Sequence, residues 1–193
     1  MTNDEVLGVI TASRLGATVH CVDFAYRSLR AAEIQVGRIW NREPKPSQQD
    51  VGATKSFYQD ILIDIHFYFI SLRNLYRYLV KAVEDPAFDA FRPELALLND
   101  RWFLHYAKGR EAFEHIDQRL PGEKHESRIV EIVDDDGGRR KIHYAFWPKK
   151  GLFVHSDGEW DITPATFDRI SADVKSLLTR MVRSCTVPEF PYP

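Results

Sequence analysis

The chain of 193 residues is 44% hydrophobic and 28% charged, enough apolar surface for one core without disulfides. Its 26 Lys and Arg against 28 Asp and Glu leave a net charge of -2, which counts against a protein that grips duplex nucleic acid through a broad cationic excess. The two cysteines, Cys21 and Cys185, have no C-x-x-C or Cys/His spacing and support neither a zinc finger nor a redox motif.

The opening "MTNDEVLGVITASRLG" lacks the basic and long apolar regions of a secretion signal. The most apolar window, "ILIDIHFYFISL", is interrupted by Asp64 and His66 and is too short to span a bilayer. The expectation is a soluble, cytoplasmic, single-domain protein over residues 1–193, with no membrane partner.

A first helix is predicted over 12–40, with Leu15, Val19, Val22, Tyr26, Leu29, Val36 and Trp40 recurring at spacings of three and four. "NREPKPSQQDVG" then reads as a loop. A second helix over 54–84 carries Phe57, Ile61, Ile65, Tyr68, Leu72, Leu75 or Tyr76, Leu79 and Val83. Ile63, Phe67 and Ile70 widen that stripe, so the helix is central or is covered on one side by a second subunit. "DPAF" ends it, because proline cannot continue the hydrogen-bond ladder.

A third helix over 93–120 has the seam Leu95, Leu98, Trp102, Tyr106, Gly109, Phe113, Ile116 and Leu120. Glycine at a seam position costs about 1 kcal/mol relative to alanine, and the close approach of another helix would explain Gly109. The period then changes. "RIVEIV", "RRKIHYAFW", "LFVH" and "EWDI" read as three or four short strands of an antiparallel meander over 128–162, with Asp157-Gly158 as a hairpin signal. Thr163 caps a last helix over 164–184, with Pro164 at its first position. The tail "VPEFPYP" carries aromatics suited to docking on a neighbouring surface. The expected fold is mainly α: an antiparallel four-helix bundle with a β-meander inserted before the last helix.

Inside the third helix, "REAFEH" places Arg110 and His115 five positions apart. This string, in a helical setting, resembles the Arg-x4–6-His motif of HEPN-domain proteins, and the wider "GREAFEHIDQRLPG" looks like a segment of small bacterial helical proteins. The resemblance implies a metal-independent endoribonuclease in which a ribose 2′-hydroxyl attacks the adjacent phosphate. It makes His115 the general acid/base and Arg110 the stabiliser of charge developing on the phosphate. It further implies a composite site in a homodimer, RNA as substrate, a toxin–antitoxin setting with a cognate antitoxin or accessory protein, and no cofactor. The residues themselves leave a second reading open. Arg110 and Glu114 are spaced for an i,i+4 ion pair on a solvated face, and positions 110 and 115 lie about 140° apart around one helix. On that reading the chain is a non-catalytic helical module that binds RNA or protein.

Arg101, Lys108 and Arg119 share a stripe with His115, and Arg73 and Arg77 lie one turn apart on the second helix, so these five are the candidate RNA contacts. His66, His105 and His115 have no spacing that organises a metal site, and none is expected. Glycine-rich phosphate loops, nucleophile elbows and H-E-x-x-H motifs do not occur.

Overall fold

The computed structural model describes residues 14–43, 51–114, 130–133, 139–142, 144–155 and 158–184. Helices α1 (Arg14–Trp40) and α2 (Val51–Ala82) form an antiparallel hairpin, the most extensive packing between any two elements. The inward line of α1 is Val22, Ala25, Leu29, Ala32, Val36 and Ile39. The bulky series expected from the sequence included Val19 and Tyr26, and both are exposed. Alanines at 25 and 32 take their place because a small side chain lets α2 approach closely. At the connected end of the hairpin the buried Asp64 carboxylate is held by Arg42, and Asp60 pairs with the same guanidinium at 3.1 Å.

The inner face of α2 follows the sequence reading: Ile61, Ile65, Tyr68, Leu72, Leu75 and Leu79 are buried. A 3-10 segment (Pro86–Phe91) follows, capped by the buried Asp85, which accepts from the Ala87 amide at 3.0 Å and from the Thr18 hydroxyl at 2.9 Å.

The third helical stretch is not one regular helix. It runs as α3 (Arg92–Leu98), a π-helical turn (Asn99–Phe103) and α4 (Leu104–Glu114). The wider turn stretches the step between buried residues from four to five. After Leu98 it is therefore Phe103, not Trp102, that enters the core, followed by Tyr106 and Ala112. Phe103 stacks on Tyr76 of α2 with centroids 5.1 Å apart. Trp102 is rotated outward, and its indole N–H donates to Asp173 at 2.8 Å.

Five short strands follow in two antiparallel groups, more than the single meander expected. β1 (Val130–Val133) pairs with β2 (Arg139–Ile142); β3 (Tyr144–Trp147), β4 (Leu152–His155) and β5 (Gly158–Asp161) form a three-stranded sheet in that order. His155 pairs with Gly158, closing the last hairpin across residues 156 and 157. Phe153 and Trp160 are cross-strand partners, and both are fully buried against the helices.

The last helix, α5 (Pro164–Ser184), begins as expected: the Thr163 hydroxyl accepts from the Thr166 amide at 3.3 Å. Gly151 carries the left-handed φ of 68° in the preceding turn, and a Cβ there would meet the Thr163 methyl at 2.1 Å. α5 packs on α1 and α4 packs on α2. The core is therefore mainly helical, with the three-stranded sheet set between the third helical stretch and the last helix. No helix among the described residues is long and apolar enough to cross a membrane.

Candidate functional site

The motif helix α4 is fixed by contacts at Tyr106, His105 and Gly109. The Tyr106 hydroxyl donates to the Asp161 carbonyl, and burial pushes the phenol well above its ordinary range. The Trp160 indole N–H donates to the His105 carbonyl at 2.8 Å. Gly109 lies so close that an added Cβ would sit 2.9 Å from the Phe69 ring and 3.1 Å from Trp160. The close approach expected at this glycine is therefore real, and its partners are a ring from α2 and a ring from β5. A methyl group there would force one of two fully buried rings out of place.

Arg110 comes next in the chain, half-buried. One turn on, Phe113 is clasped on two sides: His66 of α2 stacks flat on it at 4.8 Å and 2°, and Phe153 stacks at 5.3 Å and 25°. Positions 110 and 113 are neighbours on a helix surface. Arg110 is thus a helical neighbour of Phe113, which packs on His66 of α2 beside the outer face of that helix. That outer face is apolar here: Ile63 is 52% and Phe67 49% exposed, with His66 and Ile70 half-buried between and beside them. Of the residues that widened the α2 stripe in the sequence, Ile63 and Phe67 are left about half exposed.

The remaining candidates are spread out. His115 and Arg119 lie outside the described residues, as do the side chain of Glu114 and Cys185. Lys108 is exposed on α4, and Arg77 is exposed and Arg73 half-buried on α2. Arg101 lies in the π turn rather than in register with Lys108, and it pairs with Asp173 of α5 at 3.1 Å beside the Trp102 indole. Arg169 lies over the same indole, 5.9 Å from its centroid.

His66 belongs to the aromatic clasp. His105 stacks on Trp160 at 5.8 Å. Its imidazole is pushed below its ordinary range by burial and by nearby Lys108, against a backbone hydrogen bond with Glu159. Among the described residues no three His, Cys, Asp or Glu side chains gather where a metal ion could be held.

A polar junction that sequence reasoning missed stands behind α4. The Asp161 carboxylate accepts from the Thr163 amide at 2.9 Å, the Thr163 hydroxyl at 2.6 Å and the Thr166 hydroxyl at 2.7 Å. Partial burial pushes this carboxyl up, but those hydrogen bonds and Arg169 outweigh it and hold it below the ordinary range. The signal in the sequence was Asp161 two residues before the Thr163-Pro164 cap. One residue thus ties β5, the start of α5 and, through its carbonyl, Tyr106 of the motif helix.

No family model, curated protein or solved structure matches the chain. The functional reading therefore rests on this geometry and on the residues of the motif.

Proposed function

We propose that the chain is an HEPN-like, metal-independent endoribonuclease of toxin type, built on an antiparallel four-helix bundle and active as a homodimer. In this reading two copies meet on the exposed Ile63–Phe67–Ile70 stripe of α2 and so bring two motif helices together. The observation that carries it is the position of that stripe. The exposed Ile63 and Phe67 on α2 border the His66–Phe113 stack, and Phe113 stands between Arg110 and His115 in the motif. A second copy seated there buries apolar area, expels water from the site and surrounds a phosphate with guanidinium groups in a medium of lowered dielectric.

The chemistry then follows from residue type. Arg110 holds the non-bridging phosphate oxygens through its planar donors, and the His115 imidazole takes the proton of the 2′-hydroxyl and returns one to the leaving 5′-oxygen. The expected result for His115→Ala is loss of RNA cleavage with an unchanged melting temperature and unchanged mass in solution. A variant that cuts RNA as fast as the parent removes the catalytic role.

One observation favours the second reading, a non-catalytic helical module that binds RNA or a protein partner. Arg101, a candidate RNA contact, is engaged by Asp173 and supports the junction of the π turn with α5. Such a module would bind RNA without cutting it, and the same assay separates the two.

A further inference from the structure

The last turns of α2 border a pocket that the motif does not explain. Arg73 and Arg77 follow His66 at intervals of seven and four, so all three lie along one side of the helix. At 1.5 Å per residue, Arg77 is about 16 Å along α2 from the His66–Phe113 stack. It lines a pocket of about 380 Å³, whose described walls come from the end of α2 and from Glu84 just beyond it. Tyr76 and Tyr78 stand on opposite flanks, about 200° apart around the axis. Each ring is fixed by a stack on another element, Tyr76 on Phe103 of the π turn at 5.1 Å and Tyr78 on Phe24 of α1 at 5.2 Å.

The polar groups around this pocket are unequally engaged. Lys81 is paired with Glu84, so those two charges balance. Asp100 acts on Tyr76, whose phenol is pushed above its ordinary range by burial first and by that carboxylate second. Arg77 is exposed and, among the described residues, makes no hydrogen bond or ion pair. The half-buried Asn74 amide, one turn earlier, likewise makes none among them. By contrast, Arg42, Arg92, Arg101 and Arg180 each meet a carboxylate.

We propose that this pocket holds one unpaired nucleotide of an RNA strand, with Arg77 on its phosphate and Asn74 on the edge of its base. The inference rests on the reading of this chain as one that engages RNA, and it holds for the cleaving and the non-cleaving form alike. Charge selects the unit: one uncompensated guanidinium matches the single charge of a phosphodiester, and its planar donors match the phosphate oxygens. Size selects one nucleotide rather than several, because 380 Å³ lies near the lower end of small-ligand pockets. Asn74 offers both a donor and an acceptor, which is what a base edge freed by unpairing requires. The net charge of -2 supplies no broad field for a duplex, so binding has to come from individual contacts such as these.

Fluorescence anisotropy with a labelled single-stranded oligoribonucleotide tests it, in a His115→Ala background that keeps the probe whole. Arg77→Gln is expected to weaken binding about tenfold and to lower the slope of log affinity against log salt by about 0.7, the loss of one phosphate contact on a single strand. Asn74→Ala should weaken binding about threefold with the slope unchanged, since no charge is lost. Lys81→Gln removes a charge that Glu84 already balances, and its effect should stay within about twofold. Equal losses at Lys81 and Arg77 overturn the inference, because they mark a diffuse field. So does full affinity in Asn74→Ala, which leaves Arg77 a surface charge. A nucleoside monophosphate that binds as tightly as the strand also overturns it, because it assigns the pocket to a free nucleotide. The underlying reading fails separately: a chain that neither binds nor cuts RNA removes that reading, whereas RNA binding indifferent to Arg77→Gln removes this inference alone.

Discussion

Both faces of α2 carry large apolar residues, yet those on the inner face are fully buried and some on the outer face stay half exposed. On the inner face Ile65, Tyr68, Phe69, Leu72, Leu75 and Leu79 are at most 1% exposed, packed against α1, α4 and the sheet. On the outer face, Ile63 and Phe67 remain about half exposed, one turn apart and beside the aromatic stack that holds the motif helix. A helix too apolar for one face thus carries two sets of residues: the inner ones specify the fold, and the outer ones are the surface proposed above for assembly.

The sharpest way to break that division is at Phe69. Its ring lies against Gly109 and packs at a tilt on Tyr106 and edge-on to Phe153 and Trp160, so it joins α2 to three elements. Phe69→Ala is expected to cost about 3–5 kcal/mol in urea denaturation. A loss below about 1 kcal/mol would mean that the inner face is not the keystone described.

A smaller effect is expected at Asp161, where the inner packing is reached through polar contacts. Its carboxyl is held below the ordinary range, so its stabilising contribution is fully present above about pH 4 and is lost as the pH falls through the lowered folded value. Asp161→Asn should be less stable than the parent at neutral pH and should show a flatter stability profile in acid, read from melting temperatures between neutral pH and strong acid. Parallel profiles for the two proteins would remove the carboxylate from the account.

The same contrast explains what was legible in the sequence. The mainly helical character, the Thr163–Pro164 start of α5 and the closing hairpin of the sheet are set by local period and turn chemistry, and each was readable. The π turn was not. "NDRWF" contains nothing that demands an inserted residue; the insertion is set by distant partners, Asp173 for Trp102 and Arg101, and Tyr76 for Phe103. The alanine line of α1 was missed because the pattern search followed bulky residues, whereas close helix packing used small ones. At the candidate site, Arg110 and the unusual Gly109 could be picked out by residue type. Their setting could not, because Phe69, Trp160 and His66 come from two other elements.

The smallest expected effect on stability carries the most functional weight. Phe67→Asp changes an exposed side chain, so its cost in folding free energy should stay within about 0.5 kcal/mol. The measurement that tests the central claim is the solution mass of this variant and of the parent by light scattering, taken beside RNA cleavage by the same samples. The account requires a dimeric, RNA-cleaving parent and a folded, monomeric, inactive Phe67→Asp. A parent that cuts RNA as a monomer, or a Phe67→Asp variant that stays dimeric and active, would contradict it.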